Sequence, residues 1–265
     1  MRALAVTKPR LLLTRRKVLV GSAATLILGG CERLASSPTF QQLLGSAEGL
    51  TYRSQRTLIG RQALAREYSQ ADISARFKAN GSQDPNNLPP DYLELANDGY
   101  AAWRLDVGGL VMNPMSFSLA DLRALNARTQ ITRHDCVEGW SAIGSWTGPP
   151  LSAVLDRVGL RPEARFIVFH CADEVLRYIE GADPYYESID LIDALHPQTI
   201  LAYAMNGAPL PLKHGAPLRL RVERQLGYKM AKFITRIEAV DRFDNIRGGR
   251  GGYWEDSGYE WYAGI

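Results

Sequence analysis

The sequence predicts an α+β fold of mixed β-sheets with short helices. Short stretches of apolar–polar alternation recur from Trp103 onward, separated by Gly, Pro and Asn-Gly punctuation. Helical spacing holds only over brief runs between them. No segment repeats at a fixed period, which excludes solenoids and propellers.

The elements follow in order. Trp103-Arg104-Leu105-Asp106-Val107 alternates like a half-buried strand and stops at Gly108-Gly109. Ser118 to Leu125 reads as a short helix, with Ser118 as cap and Asp121 at the capping-box position. Thr129 to Arg133 is strand-like. Pro149-Pro150-Leu151 opens a helix that runs through Val158 and ends at Gly159. Arg165 to Cys171 is an apolar strand, and the strand from Leu201 leads into an Asn206-Gly207 turn. Leu218 to Val222 and Phe233 to Val240 complete the strands. Residues 79–91 are dense in turn formers and form a loop, and a loop of that length in a compact domain is usually functional.

Four segments are expected. Residues 1–31 form an export signal: Arg15-Arg16 is a twin-arginine pair, Val18 to Leu28 an apolar run too short to span a membrane, and Leu28-Gly29-Gly30-Cys31 a lipobox-like end. That places the protein in the periplasm or on the outer face of the cytoplasmic membrane, with a lipid on Cys31 as its only membrane attachment. Residues 32–74 form a polar extension, mildly helical from Thr57 to Tyr68. Residues 75–245 form the main domain. Residues 246–265 form a glycine-rich aromatic tail, whose Tyr253, Trp254, Tyr259, Trp261 and Tyr262 favour packing onto the body.

Charge excludes one class of partner. The 265 residues carry a formal charge of +3, but six basic residues and no acidic ones fall in residues 1–30. The remainder has 25 basic against 28 acidic side chains, so nothing points to nucleic acid.

The chemistry concentrates in Arg133-His134-Asp135-Cys136-Val137-Glu138-Gly139-Trp140-Ser141. A strand runs into polar residues around one cysteine. A neighbouring Arg or His would favour the thiolate, a soft metal ligand. Cys136 can equally be an inert core residue, or join Cys171 in a disulfide. Zinc-finger, Walker, dinucleotide-binding and c-type haem motifs are missing from the sequence. A cysteine nucleophile with His134 as base would lack an orienting acid.

Two blocks carry a resemblance. Cys136-Val137-Glu138-Gly139-Trp140-Ser141 followed by Trp146-Thr147-Gly148-Pro149-Pro150-Leu151, and His214-Gly215-Ala216-Pro217-Leu218-Arg219 followed by Gly227-Tyr228-Lys229-Met230-Ala231-Lys232, resemble the molybdenum-site and cofactor-clamping segments of the sulfite-oxidase family. Its methionine-sulfoxide reductase branch is the nearest. The resemblance implies the sulfite-oxidase-type fold and a molybdenum-molybdopterin (Mo-MPT) cofactor whose metal binds the Cys136 thiolate. It implies cofactor contacts from Asn80, Ser82, Asp84, His134, Cys171, His214, Arg219, Gly227, Lys229, Met230, Ala231 and Lys232. Lys229 and Lys232 can alternatively belong to a solvated face, and Cys171 to the core. Implied too are two-electron oxygen-atom transfer and an external electron carrier, a membrane cytochrome b or a soluble cytochrome c. Sulfite oxidases have an Ala-Gly-Asn-Arg-Arg run after their cysteine and an Arg before the loop Asn. Here Val137 to Trp140 and Ala79 stand instead, which argues against sulfite. The loop Asn80-Gly-Ser-Gln-Asp84 also differs from the reductase branch. A cofactor-less binding lipoprotein of the same fold is the alternative function.

Overall fold

The computed structural model describes residues 37–175 and 183–265. The signal and Cys31 lie outside the described residues. The chain divides into two units, residues 1–54 and 55–265. Of the first, the described part is mostly helix α1 (Pro38–Leu58), which continues into the second.

In the second unit, short strands and shorter helices alternate as the sequence predicts. The first sheet holds β1 (Arg104–Gly109), β2 (Met115–Ser118), β5 (Phe166–Cys171), β6 (Tyr186–Asp190) and β11 (Ile234–Val240), in the order β2-β1-β11-β5-β6. It is mixed, since β1 and β11 run parallel while the other neighbours are antiparallel. The second is the meander β3 (Arg128–Asp135), β4 (Ser141–Gly148), β8 (Ala204–Met205) and β9 (Ala208–Pro209). The third pairs β7 (Ile200–Ala202) with β10 (Arg219–Arg221).

The helices end where their chemistry dictates. In α3 (Leu119–Ala124) the Ser118 hydroxyl accepts from the Asp121 N–H, and the Asp121 carboxylate accepts from the Ser118 N–H in return. Helix α4 (Leu151–Val158) buries Leu151, Val154, Leu155 and Val158. This is the one-faced spacing that docks a helix on a sheet. They join Leu105, Val107, Ile167, Phe169 and Ile237 in the main core.

The structure departs from the sequence reading in three places. Residues 59–68 are not helical. The carbonyls of Gly60 and Arg61 accept from Arg224, and those of Ala63 and Ala65 pair with His196 and Gln198. Carbonyls claimed in this way are lost to a helical ladder. Helix α2 (Pro90–Asn97) begins inside the segment read as loop, because Pro90 is favourable in a first turn. Strand β6 shows no alternation, since all five of its residues are buried. Among the described residues, no helix is long and apolar enough to cross a membrane.

Candidate active site

Strand β3 delivers the central cysteine. Its buried residues Gln130, Thr132 and His134 alternate with more exposed ones, and Cys136 continues the phase just past the strand end. The five-residue turn 136–140 closes on a Cys136 N–H bond to the Trp140 carbonyl at 2.9 Å. Gly139 takes φ +85°, where a side chain would be strained. Cys136 and Cys171 are both free thiols, so they form no disulfide.

The expected activation of the thiol by its neighbours does not occur. Arg133 turns to Asp135, at 2.9 Å, and is half exposed. His134 is wholly buried and neutral, with burial and then the charge of Arg221 holding it well below its ordinary pKa. Burial likewise pushes the Cys136 thiol up. Lys78 is the nearby cation that favours the thiolate, but its ammonium is paired with Glu138 at 2.9 Å and burial outweighs it, so a metal at the sulfur would be the stronger stabiliser of the thiolate. Among the described residues no group of three His, Cys, Asp or Glu side chains can hold a metal, so Cys136 is a single donor.

A cavity of about 150 Å³ opens beside Cys136. Its polar lining comes from Asn80, Ser82, Glu138, Asp173 and Lys232. Lys232 donates to the carbonyls of Asn80 (2.6 Å) and Ser82, which ties the 79–91 loop to the turn before β11. Burial lowers Lys232 to about 7 and raises Asp173 to about 6. Gly227 also lines the cavity. A Cβ there would lie 2.4 Å from the His134 ring, so only glycine fits.

His134 and its neighbours hold polar atoms without partners. The His134 Nδ1 accepts from Arg221 at 3.0 Å, which leaves the proton on Nε2, and Nε2 has no partner. Arg221 is itself neutralised by Glu223 at 2.6 Å. Arg219 is not. It is fully buried and donates one bond, to the His214 carbonyl at 3.1 Å, while its Nε and Nη2 have no acceptor. Burial and the nearby Arg221 bring Arg219 down to about 9, and burial with Arg219 brings His214 to about 4. Asn80 Oδ1, Ser82 Oγ, Asp173 Oδ1 and His214 Nδ1 are unpartnered as well. Native interiors leave few buried polar atoms unmatched, and a group of this size is the complement of a polar ligand.

A family model described as oxidoreductase molybdopterin binding domain matches residues 93–245. A relative from Azospira oryzae, named as subunit YedZ1 of a protein-methionine-sulfoxide reductase, is 40% identical over 198 residues, covering 68% of this chain and 70% of that one. The chain belongs to the molybdopterin-binding oxidoreductase family. The protein-methionine-sulfoxide reductase catalytic subunit MsrP of Xanthomonas axonopodis pv. citri is 38% identical over 53% of this chain and 45% of its own, so this chain matches less than half of that relative. The sulfane dehydrogenase SoxCD of Paracoccus pantotrophus superposes with a TM-score of 0.48 at 24% identity, over 55% of this chain and 40% of that one.

In this molybdopterin-binding oxidoreductase the sequence-expected residues fall into three places. Cys136, Asn80, Ser82, Gly227, Met230 and Lys232 line the cavity. His134, His214 and Arg219 form a buried side in which two neutral imidazoles flank one guanidinium, and Ala231 is buried beside Lys232. Asp84, Cys171 and Lys229 are engaged otherwise. Asp84 caps a short turn through the Asn86 N–H at 2.9 Å. Cys171 ends β5 within the main core. Lys229 is fully buried, with its ammonium between Glu187 and Glu255, so neither lysine belongs to a solvated face. The sequence reading missed Asp173, Tyr185, Tyr228, Trp254 and Tyr259, which also line the cavity. Only the aromatic crowding of the tail hinted at the last two.

Proposed function

We propose that the protein is an exported Mo-MPT reductase of sulfoxides, with methionine sulfoxide, free or in a polypeptide, as its substrate class. The observation that carries the cofactor assignment is the buried Arg219, whose Nε and Nη2 lack any acceptor. A guanidinium fork of this kind matches a phosphate, such as the one on molybdopterin. His134 Nε2 and His214 Nδ1 supply further contacts for a polar ring system. Cys136 is the protein thiolate for the metal. When bound, the cofactor supplies two-electron oxygen-atom transfer.

The protein's own groups define the substrate. The described residues lining the cavity include Asp173 and Glu138 but no arginine. Carboxylates repel a sulfite dianion and tolerate a neutral sulfoxide. Reduction of R₂SO takes two electrons and two protons and releases R₂S and water. Asp173, raised to about 6, is mostly ionised at neutral pH yet close enough to it to take up and pass on a proton within this lining. Electrons come from an external haem carrier, a membrane cytochrome b or a soluble cytochrome c. The twin-arginine pair Arg15-Arg16 and the lipobox-like end at Cys31 support a location on the outer face of the cytoplasmic membrane or free in the periplasm.

The test is turnover by molybdenum-loaded enzyme, with reduced viologen as donor and methionine sulfoxide as acceptor, alongside sulfite with ferricyanide. Viologen oxidation dependent on the sulfoxide is expected. Sulfite oxidation without sulfoxide reduction would overturn the assignment.

A further inference from the structure

The family match ends at residue 245, yet the cavity beside Cys136 is walled in part by Trp254 and Tyr259, from beyond that limit. Their placement is fixed by several contacts. The Tyr259 N–H donates to the Trp254 carbonyl at 3.0 Å, which folds the segment back on itself. The two rings then stack, with centroids 5.5 Å apart and planes 29° from parallel. Tyr228 meets Tyr259 edge-on at 5.4 Å, and its hydroxyl donates to the Glu260 carbonyl at 2.6 Å. Beside them, Glu255 of α5 (Tyr253–Asp256) accepts from the buried Lys229 at 2.5 Å, and Lys229 also binds Glu187 of β6. Separating a buried ammonium from its carboxylates is costly. Consecutive residues Tyr228 and Lys229 therefore grip the tail, one by its aromatic ring and one by its charge.

We propose that Trp254 and Tyr259 form the specificity-determining wall of the site, selecting sulfoxides with an aryl or extended thioether substituent over small ones. This rests on the sulfoxide assignment above and names the part of the chain that discriminates within that class. Aromatic faces and edges attract flat apolar groups and polarizable sulfur. Val137, Val175 and Met230 continue the apolar lining. Lys229 is a positioning residue in this account, since it reaches the wall only through Glu255.

The test is equilibrium binding to the molybdenum-loaded enzyme, by calorimetry, of methyl p-tolyl sulfoxide and dimethyl sulfoxide. The aryl ligand is expected to bind at least about tenfold more tightly, an advantage worth one good aromatic contact. Trp254→Leu and Tyr259→Leu should each remove most of that ratio with molybdenum content unchanged. Tyr259 is 41% exposed, so its replacement leaves the core intact. Equal binding of both ligands by the native enzyme, or a ratio that survives both substitutions, would overturn the proposal. A ratio that collapses in the variants, from an enzyme that turns over no sulfoxide, would support the wall and overturn the reductase assignment.

Discussion

Lys229 and Lys232 lie one turn apart in sequence, and both are buried, yet their surroundings are opposite. Lys229 sits between two carboxylates, Glu187 and Glu255. Burial works against its charge, but those carboxylates raise its pKa above the ordinary lysine value. Lys232 has three carbonyls around it, those of Asn80, Ser82 and Lys213, and burial lowers it to about 7. Asp173 favours its charge, while the nearby guanidinium of Arg219, which lacks a carboxylate partner, opposes it. The first region has its charges matched within the protein. The second holds cations and orphaned donors that only a ligand completes. Structure and function are thus separated within one short turn.

The contrast yields graded predictions. Lys229→Met should be the most damaging, since it leaves two carboxylates buried together. It should cost about 3–5 kcal/mol, read by urea denaturation of cofactor-free protein. Arg219→Met should behave in the opposite way. In cofactor-free protein it should be neutral or stabilising, because an unmatched charge is removed. The same substitution should weaken molybdopterin retention about 10–100-fold, the value of charged hydrogen bonds, measured as pterin remaining after dialysis. A loss of stability in Arg219→Met as large as that in Lys229→Met would erase the distinction.

A smaller effect appears in the pH dependence. The pKa of Lys232 is depressed on folding, so the unfolded chain binds the extra proton between about pH 7 and the ordinary lysine value. The Lys232 contribution to the stability of cofactor-free protein therefore rises with pH across that window. Lys232→Met should flatten the slope, as should loading with cofactor if its phosphate lies nearby. Chemical denaturation at pH 7, 8 and 9 reads this, and an unchanged slope in Lys232→Met would contradict it.

How much of this was legible in the sequence depended on the range of the interactions. Strand β3 was readable from its strand-like run Thr129 to Arg133 and the contiguous motif around Cys136, whereas β4 (Ser141–Gly148) was not read as a strand. Helices α3 and α4 were readable from Ser118 with Asp121, and from Pro150 with Gly159, because caps are local. The fate of Lys229 was not, since Glu187 and Glu255 lie 42 and 26 residues away. Strand β6 escaped because burial on both faces removes the period that betrays a strand, and Glu187 and Ser188 are polar in spite of it. The cavity walls from Asp173 and Tyr185 gave no local signal, and the aromatic tail announced that Trp254 and Tyr259 pack but not where, because each is brought in by tertiary packing.

The central claim is that Cys136 holds molybdenum beside a pterin bound on the Arg219 side. The most direct measurement is elemental analysis and oxidised-pterin fluorescence of protein made in a molybdopterin-producing host. Near-stoichiometric molybdenum that disappears in Cys136→Ser, with that variant folded by circular dichroism, is the predicted result. Folded native protein without molybdenum or pterin would contradict the account and favour a cofactor-less binding lipoprotein.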